Sequence, residues 1–403
     1  MRLSRIRETL FATFQCQNIH FFVLWLCLLM QMFTWGHAYR FLAYVNLVIV
    51  LAYGIGELRK SNQLESKKTL CYLLSIPFAF VTIHFLAVEN LIFTKEIRHI
   101  LLAVFLALGI WLLAKKNSDF IKKNIFGFTL ALIFIYVTVQ VITLGLFNRP
   151  YGTTKNPHYL ALYSAVSLIV ATYCFSVVST KKKFIIGFSM LLLGALLLYT
   201  SSRPIWIGLI LSAALVLLFL QQQSRRFFGF TIVVTLVGLT LTNAGDFTSR
   251  FETLLLNLNT EERVVIWQDA WKMQLQSSNS EWLLGHGLDS FGEHFKIYSN
   301  YHLQHIDFNS PHNFVLELIF ISGIAGLSLA ILMLWLIYKN LLLGIKADNQ
   351  HKNIYLVLLV VMTSNLTLVS ITLPFFTSYN LNIIAIVTGC MLYMRESSVR
   401  QTQ

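Results

Sequence analysis

The chain has 403 residues, of which 56% are hydrophobic and only 12% are charged. Soluble globular proteins carry about 25% charged residues, so this composition excludes a water-soluble enzyme, a secreted disulfide scaffold and a disordered regulator. The formal net charge of +13 does not indicate a nucleic-acid-binding protein, because Lys and Arg lie in short clusters between apolar stretches. The composition predicts an all-α integral membrane protein, embedded in membrane lipid.

Apolar stretches recur along almost the whole chain, each close to the roughly 20 residues that a helix needs to cross the hydrocarbon core of a membrane. Their approximate bounds are 20–35, 38–56, 69–89, 99–114, 124–147, 158–178, 184–200, 204–220, 227–243, 312–337, 353–373 and 379–394. The pattern predicts about 12 transmembrane helices in a single membrane domain, 1–403. The first stretch is expected to be retained rather than cleaved, because a second stretch follows almost at once.

Basic residues are distributed unevenly between the two sides of the predicted bundle. With a cytoplasmic N-terminus, the cytoplasmic segments hold 21 of the 31 Lys and Arg residues, and the opposite side holds ten. Short basic loops mark the cytoplasmic side of a membrane. The distribution therefore predicts a multi-pass protein with both termini in the cytoplasm.

One long polar segment, residues 244–311, lies between the ninth and tenth predicted spans, on the side opposite the cytoplasm. It contains nine acids and four bases, for a net charge of −5. Loops longer than about 12–15 residues are usually functional or disordered. The apolar pattern over 261–276 predicts a partly helical loop. Metal binding is not expected, because the spacing of its histidines matches no standard zinc pattern; they are His286, His294, His302 and His305.

Arg203 is the first candidate binding residue. It lies in Ser202-Arg203-Pro204, and proline favours the first turn of a helix, so Arg203 is expected to begin the eighth span. The guanidinium, the hydroxyl of Ser202 and the unpaired N–H groups of the helix N-terminus would form an anion site at the membrane surface. An alternative is an arginine that only extends to the interface. A polar turn containing Arg149 lies on the same side.

Three further candidates flank the long loop. Arg263 has the planar guanidinium that suits bidentate phosphate binding, although it could instead pair with Glu261 and Glu262. His312 is expected near a helix N-terminus, where a neutral imidazole could act as a general base or serve only as a cap. Apart from Glu89 at the very end of one span, Glu317 is the only acid inside a predicted span. It could orient His312, bind a substrate hydroxyl, or form a buried hydrogen bond to a neighbouring span. Such a set suits a diphosphate beside a general base.

Three segments resemble the bacterial O-antigen ligases and the related O-antigen polymerases. They are Ser202-Arg203-Pro204-Ile205-Trp206; Glu262-Arg263 with Trp267; and Gly285-His286-Gly287 followed by Pro311-His312-Asn313-Phe314-Val315-Leu316-Glu317 and Gly323-Ile324-Ala325-Gly326. The Asn156-Pro157-His158 turn is also similar to the family pattern, although asparagine is more usual there than His158. The topology resembles the family over most of the chain, and the motifs over roughly 148–330.

The resemblance implies a glycosyltransferase of the bacterial inner membrane with a GT-C-type fold and a periplasmic active site. As an O-antigen ligase it would transfer a polysaccharide from undecaprenyl diphosphate to a sugar hydroxyl of lipid A-core. The transfer would invert the anomeric carbon and need no metal or other cofactor. Arg203 and Arg263 would bind the donor diphosphate, and His312 would be catalytic. Supporting residues would be Glu317, Arg149, Ser202 and Asn313.

Other functions stay open at this point. An O-antigen polymerase would use the same donor to elongate another lipid-linked glycan, and the motifs do not separate it from a ligase. A periplasmic O-linked protein glycosyltransferase is less favoured, because no further domain is expected after the twelfth span. A transporter is also less favoured, because transporters usually place ionisable groups near the membrane midplane. Here nearly all of these groups lie at one face.

Overall fold

The computed structural model describes residues 16–60, 64–88, 93–116, 119–146, 151–154, 156–178, 180–200, 202, 205, 208–212, 262–299, 308–370 and 373–401. In these ranges the regular secondary structure is helical, with no strand. The helices are α1 (Cys16–Met32), α2 (Gly36–Lys60), α3 (Leu64–Ala87), α4 (Lys95–Lys116), α5 (Asp119–Leu146), α6 (Pro157–Val177), α7 (Thr180–Thr200), α8 (Glu262–Leu275), α9 (Asn279–Leu284), α10 (Phe291–Tyr298), α11 (Phe314–Ala347), α12 (Lys352–Val369) and α13 (Ser378–Gln401).

Within the described ranges, four helices are long and apolar enough to cross a membrane. They are Lys95–Leu113, Asn124–Gly145, Pro157–Val177 and Phe314–Ala347. Shorter apolar helices are Asn18–Met32, Leu73–Ala87 and Lys352–Thr367. Apolar helices of this kind are those of a multi-pass membrane protein. The predicted span 227–243 and most of 204–220 lie outside the described residues, so the number of 12 spans stays a prediction.

Helix α11 extends well beyond the predicted span 312–337. Its 34 residues correspond to roughly 51 Å at 1.5 Å per residue, more than the roughly 30 Å of a hydrocarbon core. Beyond the apolar stretch, the Lys339 ammonium lies 4.6 Å from the ring centre of Trp335, and Asn340 accepts a hydrogen bond from Arg395 at 2.8 Å. Hydropathy shows only where the apolar stretch ends. The helix itself continues past that point, because its polar residues have partners such as Trp335 and Arg395.

The helices pack into one hydrophobic core. Helix α4 packs against α13 and α2, α6 against α7 and α12, and α11 against α3 and α12. Large side chains such as Tyr136, Phe320 and Phe375 are fully buried between them. The helices of the long loop are part of this packing, because α9 lies against α11 and α3, and α8 lies against α10 and α11.

A kink at Gly323 divides α11 into two helical parts. Gly323 has φ 63° and ψ −168°, and Gly285 has φ 80° and ψ −174°, a region of backbone conformation that is essentially restricted to glycine. The two glycines allow the turn after α9 to approach the kink. There the N–H groups of His286 and Gly287 donate to the carbonyls of Phe320 and Ile321 at 2.9 and 3.0 Å. The Gly-His-Gly segment is thus a docking turn for the long loop.

Replacing Gly323 with alanine should destabilise the protein by at least about 1–3 kcal/mol, since alanine does not tolerate this conformation. A Cβ atom there would also overlap the backbone of Leu283 and Leu284. Thermal unfolding in detergent should show a clearly lower midpoint. The matched control is Gly127→Ala in α5, where nothing lies within 4 Å of the added Cβ; it should cost nothing. An unchanged midpoint for Gly323→Ala would contradict the packing of α9 on the kink.

Candidate functional site

Helix α8 brings Arg263 to the segment that precedes α11. Arg263 and Trp267 lie one turn apart on the same side of α8. The indole Nε1–H of Trp267 donates to the carbonyl of Pro311 at 2.9 Å. Ile266 and Ala270 are buried on the packed side of the helix. The hydrogen bond from Trp267 to Pro311 therefore holds the first turn of α8, which carries Arg263, beside the residues that lead into α11.

His312 lies in a tight turn just before α11. Its φ angle is +52°, an uncommon conformation for a residue other than glycine. Its N–H donates to the hydroxyl oxygen of Ser310 at 3.1 Å. Asn313 caps the helix by accepting from the N–H groups of Val315 and Leu316 at 3.1 and 3.2 Å. The helix begins at Phe314, so the imidazole is close to the positive end of its dipole.

Glu317, in the first turn of α11, stabilises this turn through Ser310. Its side chain is only 5% exposed. One carboxylate oxygen, Oε2, accepts from the Ser310 hydroxyl at 3.2 Å and from the N–H of Phe375 at 3.0 Å. The second bond is the buried contact to a neighbouring segment considered in the sequence analysis. The connection from Glu317 to His312 runs through Ser310, so Glu317 orients the backbone of the histidine rather than its imidazole.

The turn between α12 and α13 provides a firm support for Glu317. The Nδ1 atom of His99 lies 3.2 Å from the carbonyl oxygen of Phe376. The carboxamide of Asn380 donates to the carbonyl of Phe375 at 2.6 Å, and its oxygen accepts from Asn365 at 2.5 Å. Both asparagines are fully buried. None of these three contacts was predicted, because the polar side chains that make them lie within apolar stretches.

A second segment of the chain reaches the site at the start of α6. Asn156 caps this helix by accepting from the N–H of His158 at 2.8 Å. The Nδ1 atom of His158 lies 2.9 Å from the hydroxyl oxygen of Ser202, which is 1% exposed. His158 is also close enough to Arg263 and His312 for their charges to act on its imidazole. Four separate segments of the chain therefore meet at Ser202, His158, Arg263 and His312.

Several predicted site residues lie outside the described residues. These are Arg149, Arg203 and Glu261, together with the loop histidines His302 and His305. Arg203 follows Ser202 directly in the sequence, and Ser202 is in the cluster. The predicted role of Arg203 stays a prediction.

The loop histidine His286 is held by contacts within the protein that indicate a role in packing. Its Nε2 lies 2.8 Å from the Ser277 hydroxyl, its Nδ1 lies 3.4 Å from Glu281, and its ring stacks on Phe320 with 4.3 Å between ring centres. Burial, followed by the charge of His294, lowers the pKa of His286 against the opposing effect of Glu281. The lowered pKa favours the neutral ring, which packs the loop onto α11. In the described ranges no three His, Cys, Asp or Glu residues form a group that could hold a metal ion.

Sequence reasoning missed two residues of the site. Ser310 links His312 to Glu317, and the available signal was its place two residues before the histidine in Ser310-Pro311-His312. His158 was noted but left without a role, because asparagine is more usual there in the family that the chain resembles. Its proximity to Ser202, which is 44 residues away in the sequence, depends on how α6 packs and has no local signal.

One comparison with known proteins finds a match to part of the chain. Residues 188–331 match a family model described as O-antigen ligase. The matched region includes Ser202, Arg263, His312 and the kink at Gly323. A search of the curated proteins finds no match. The match covers about a third of the chain, and over that region it supports a relation to the O-antigen ligases and polymerases.

Proposed function

We propose that this protein is an O-antigen ligase of the bacterial inner membrane. It transfers a polysaccharide from undecaprenyl diphosphate to a sugar hydroxyl of lipid A-core. The single observation that carries the proposal is the convergence of Arg263, His312 and the His158–Ser202 pair at the ends of α8, α11 and α6. The Arg263 guanidinium suits a diphosphate, and the His312 imidazole suits a general base for the hydroxyl that receives the glycan. The buried His158–Ser202 pair lies next to both.

In the proposed reaction, Arg263 and Arg203 bind the donor diphosphate. Bond cleavage between the anomeric carbon and the phosphate oxygen leaves additional negative charge on undecaprenyl diphosphate. Guanidinium groups stabilise that charge, and a well-placed electrostatic donor is worth roughly 3–4 kcal/mol in other enzymes. Helix N-termini near the site act in the same direction. The leaving group departs without being protonated.

His312 is the proposed general base. Its imidazole accepts the proton of the acceptor hydroxyl while the hydroxyl oxygen forms the new bond to the anomeric carbon. Attack from the face opposite the diphosphate inverts that carbon. The adjacent helix N-terminus disfavours imidazolium before the reaction, which keeps the base in its reactive form. Glu317, Ser310 and Asn313 hold the turn that carries His312.

The proposed topology places this chemistry in the periplasm. We infer about 12 transmembrane helices in a GT-C-type arrangement, with both termini in the cytoplasm and the loop 244–311 outside. The uneven distribution of Lys and Arg supports this orientation. A donor with a polyprenyl tail needs a site at the edge of the bilayer, and the ends of α6 and α11 provide one. No metal or other cofactor takes part in the proposed reaction.

Deletion of the gene distinguishes the ligase from its closest rival, the O-antigen polymerase. Loss of a ligase should leave bare lipid A-core, with polymerised glycan still attached to undecaprenyl diphosphate. The lipopolysaccharide ladder on a gel shows this directly, and the lipid-linked glycan can be extracted and sized. A ladder reduced to core plus a single repeat unit would instead identify a polymerase and contradict the proposal.

A further inference from the structure

His158 is not used in the proposed reaction, although it lies within the same cluster. It occupies the first turn of α6, where Asn156 accepts a hydrogen bond from its backbone N–H. The helix fixes the imidazole beside Ser202, and the charges of Arg263 and His312 act on the ring. A site for an anion thus contains a second histidine whose placement is set by a helix and a buried serine.

The contact with Ser202 determines which nitrogen of His158 carries the proton. The serine side chain is buried, and a buried hydroxyl is expected to donate its proton to an acceptor. Among the described residues, its hydrogen-bond partner is Nδ1 of His158 at 2.9 Å. A hydroxyl that donates to Nδ1 leaves the proton of a neutral imidazole on Nε2. The outer nitrogen of the ring is therefore an N–H donor.

That donor is available to a ligand. Nε2 has no hydrogen-bond partner among the described residues, and His158 is half-buried rather than sealed in the core. The nearby charge of Arg263 favours an anion as the group that accepts from Nε2. A neutral N–H donor beside a guanidinium suits the oxygens of a phosphate, since hydrogen bonds to charged acceptors are short and strong.

We propose that His158 binds the donor substrate, with its Nε2–H donating a hydrogen bond to an oxygen of the diphosphate. The inference rests on the proposed function, because it takes a lipid diphosphate as the ligand. The two histidines then have opposite roles, since Nε2 of His158 donates to the donor substrate and His312 accepts a proton from the acceptor. An asparagine at this position would lack an atom at the place of Nε2.

Two conservative substitutions separate ligand binding from a structural role. His158→Asn keeps a polar atom near the place of Nδ1, and so the contact with Ser202, but loses the reach of Nε2. His158→Gln can place an N–H donor near Nε2 without matching Nδ1. We expect His158→Asn to raise the KM for the lipid-linked donor about tenfold or more, with little change in kcat or in the KM for the acceptor. His158→Gln should recover much of the loss.

The matched control is His37→Asn, which changes an exposed histidine at the start of α2 and should leave both KM values unchanged. Thermal unfolding of each variant checks that it is folded. Recovery of the donor KM by asparagine, but not by glutamine, would show that the contact with Ser202 is the whole role of His158. A donor KM that is unchanged in both variants would also overturn the proposal, as would a rise in the acceptor KM alone.

Direct binding of glycan-free undecaprenyl diphosphate to the purified protein tests the inference without catalysis. His158→Asn should weaken this binding by a similar factor, and His37→Asn should not. Wild-type protein that binds the lipid diphosphate but transfers no glycan would defeat the proposed function and leave this inference standing. Equal binding by wild type and His158→Asn would defeat this inference alone.

Discussion

Replacing His312 with alanine is expected to lower the rate of glycan transfer by about 10²–10⁴-fold, the usual contribution of a general base. The alanine variant has no group to accept the proton of the attacking hydroxyl. Initial rates with purified protein, lipid-linked donor and lipid acceptor measure the effect. Binding of the donor should change little, because His312 is proposed to act on the acceptor.

Backbone geometry requires a second variant at this site. The φ angle of His312 is +52°, a conformation that asparagine adopts more readily than alanine. His312→Asn should therefore keep the stability of the wild type and still lose most of the activity. Ser310→Ala should reduce activity less, because Ser310 acts on the histidine only through the backbone N–H. A fully active His312→Asn enzyme would exclude His312 as the base.

Replacing Arg263 with alanine is expected to lower transfer by about 10²–10³-fold, as in other enzymes that lose one electrostatic donor to a transition state. The charge that develops on the departing diphosphate would lose a guanidinium partner. Arg263→Lys should recover only part of the rate, since a single ammonium cannot form the bidentate contact. The effect should appear in kcat, and also in KM for the donor.

Lys272→Ala is the matched control for Arg263. Lys272 lies on the same helix, α8, with a side chain that is 69% exposed and pairs with Asp269 at 3.3 Å. Removing this cation changes the charge of the loop by the same amount as Arg263→Ala, and activity should be unchanged. Equal losses in the two variants would mean that the general charge of the loop matters, and would contradict a specific diphosphate site at Arg263.

Local chemistry explains which parts of the fold could be predicted from sequence. Apolar stretches predicted helices where α4, α5 and α6 lie, because burial of apolar surface and helix length both appear in a short window of sequence. The helical pattern over 261–276 likewise predicted α8 (Glu262–Leu275) within two residues at either end. Helix ends beyond an apolar stretch, as in α11, were not predictable, because they depend on partners from other helices.

The contacts of the site depended on long-range packing. The segments containing Gly285 and Gly323 were part of the resemblance to the family, but the reason for both glycines is the close approach of α9 to a kinked helix. Glu317 stood out as an acid within an apolar stretch, and three interpretations of it were equally consistent with sequence. The structure shows a hydrogen bond from the N–H of Phe375, 58 residues away. Neither segment alone contains a pattern that predicts this contact.

Reconstitution of the purified protein in lipid vesicles tests the proposed function most directly. The reaction contains undecaprenyl-diphosphate-linked polysaccharide, lipid A-core and a chelator, and its products are separated by size and by lipid. A ligase should attach the intact polysaccharide to lipid A-core and release undecaprenyl diphosphate. Longer glycan on undecaprenyl diphosphate, with lipid A-core unmodified, would contradict the ligase proposal, and no transfer to either lipid would contradict the proposed reaction as a whole.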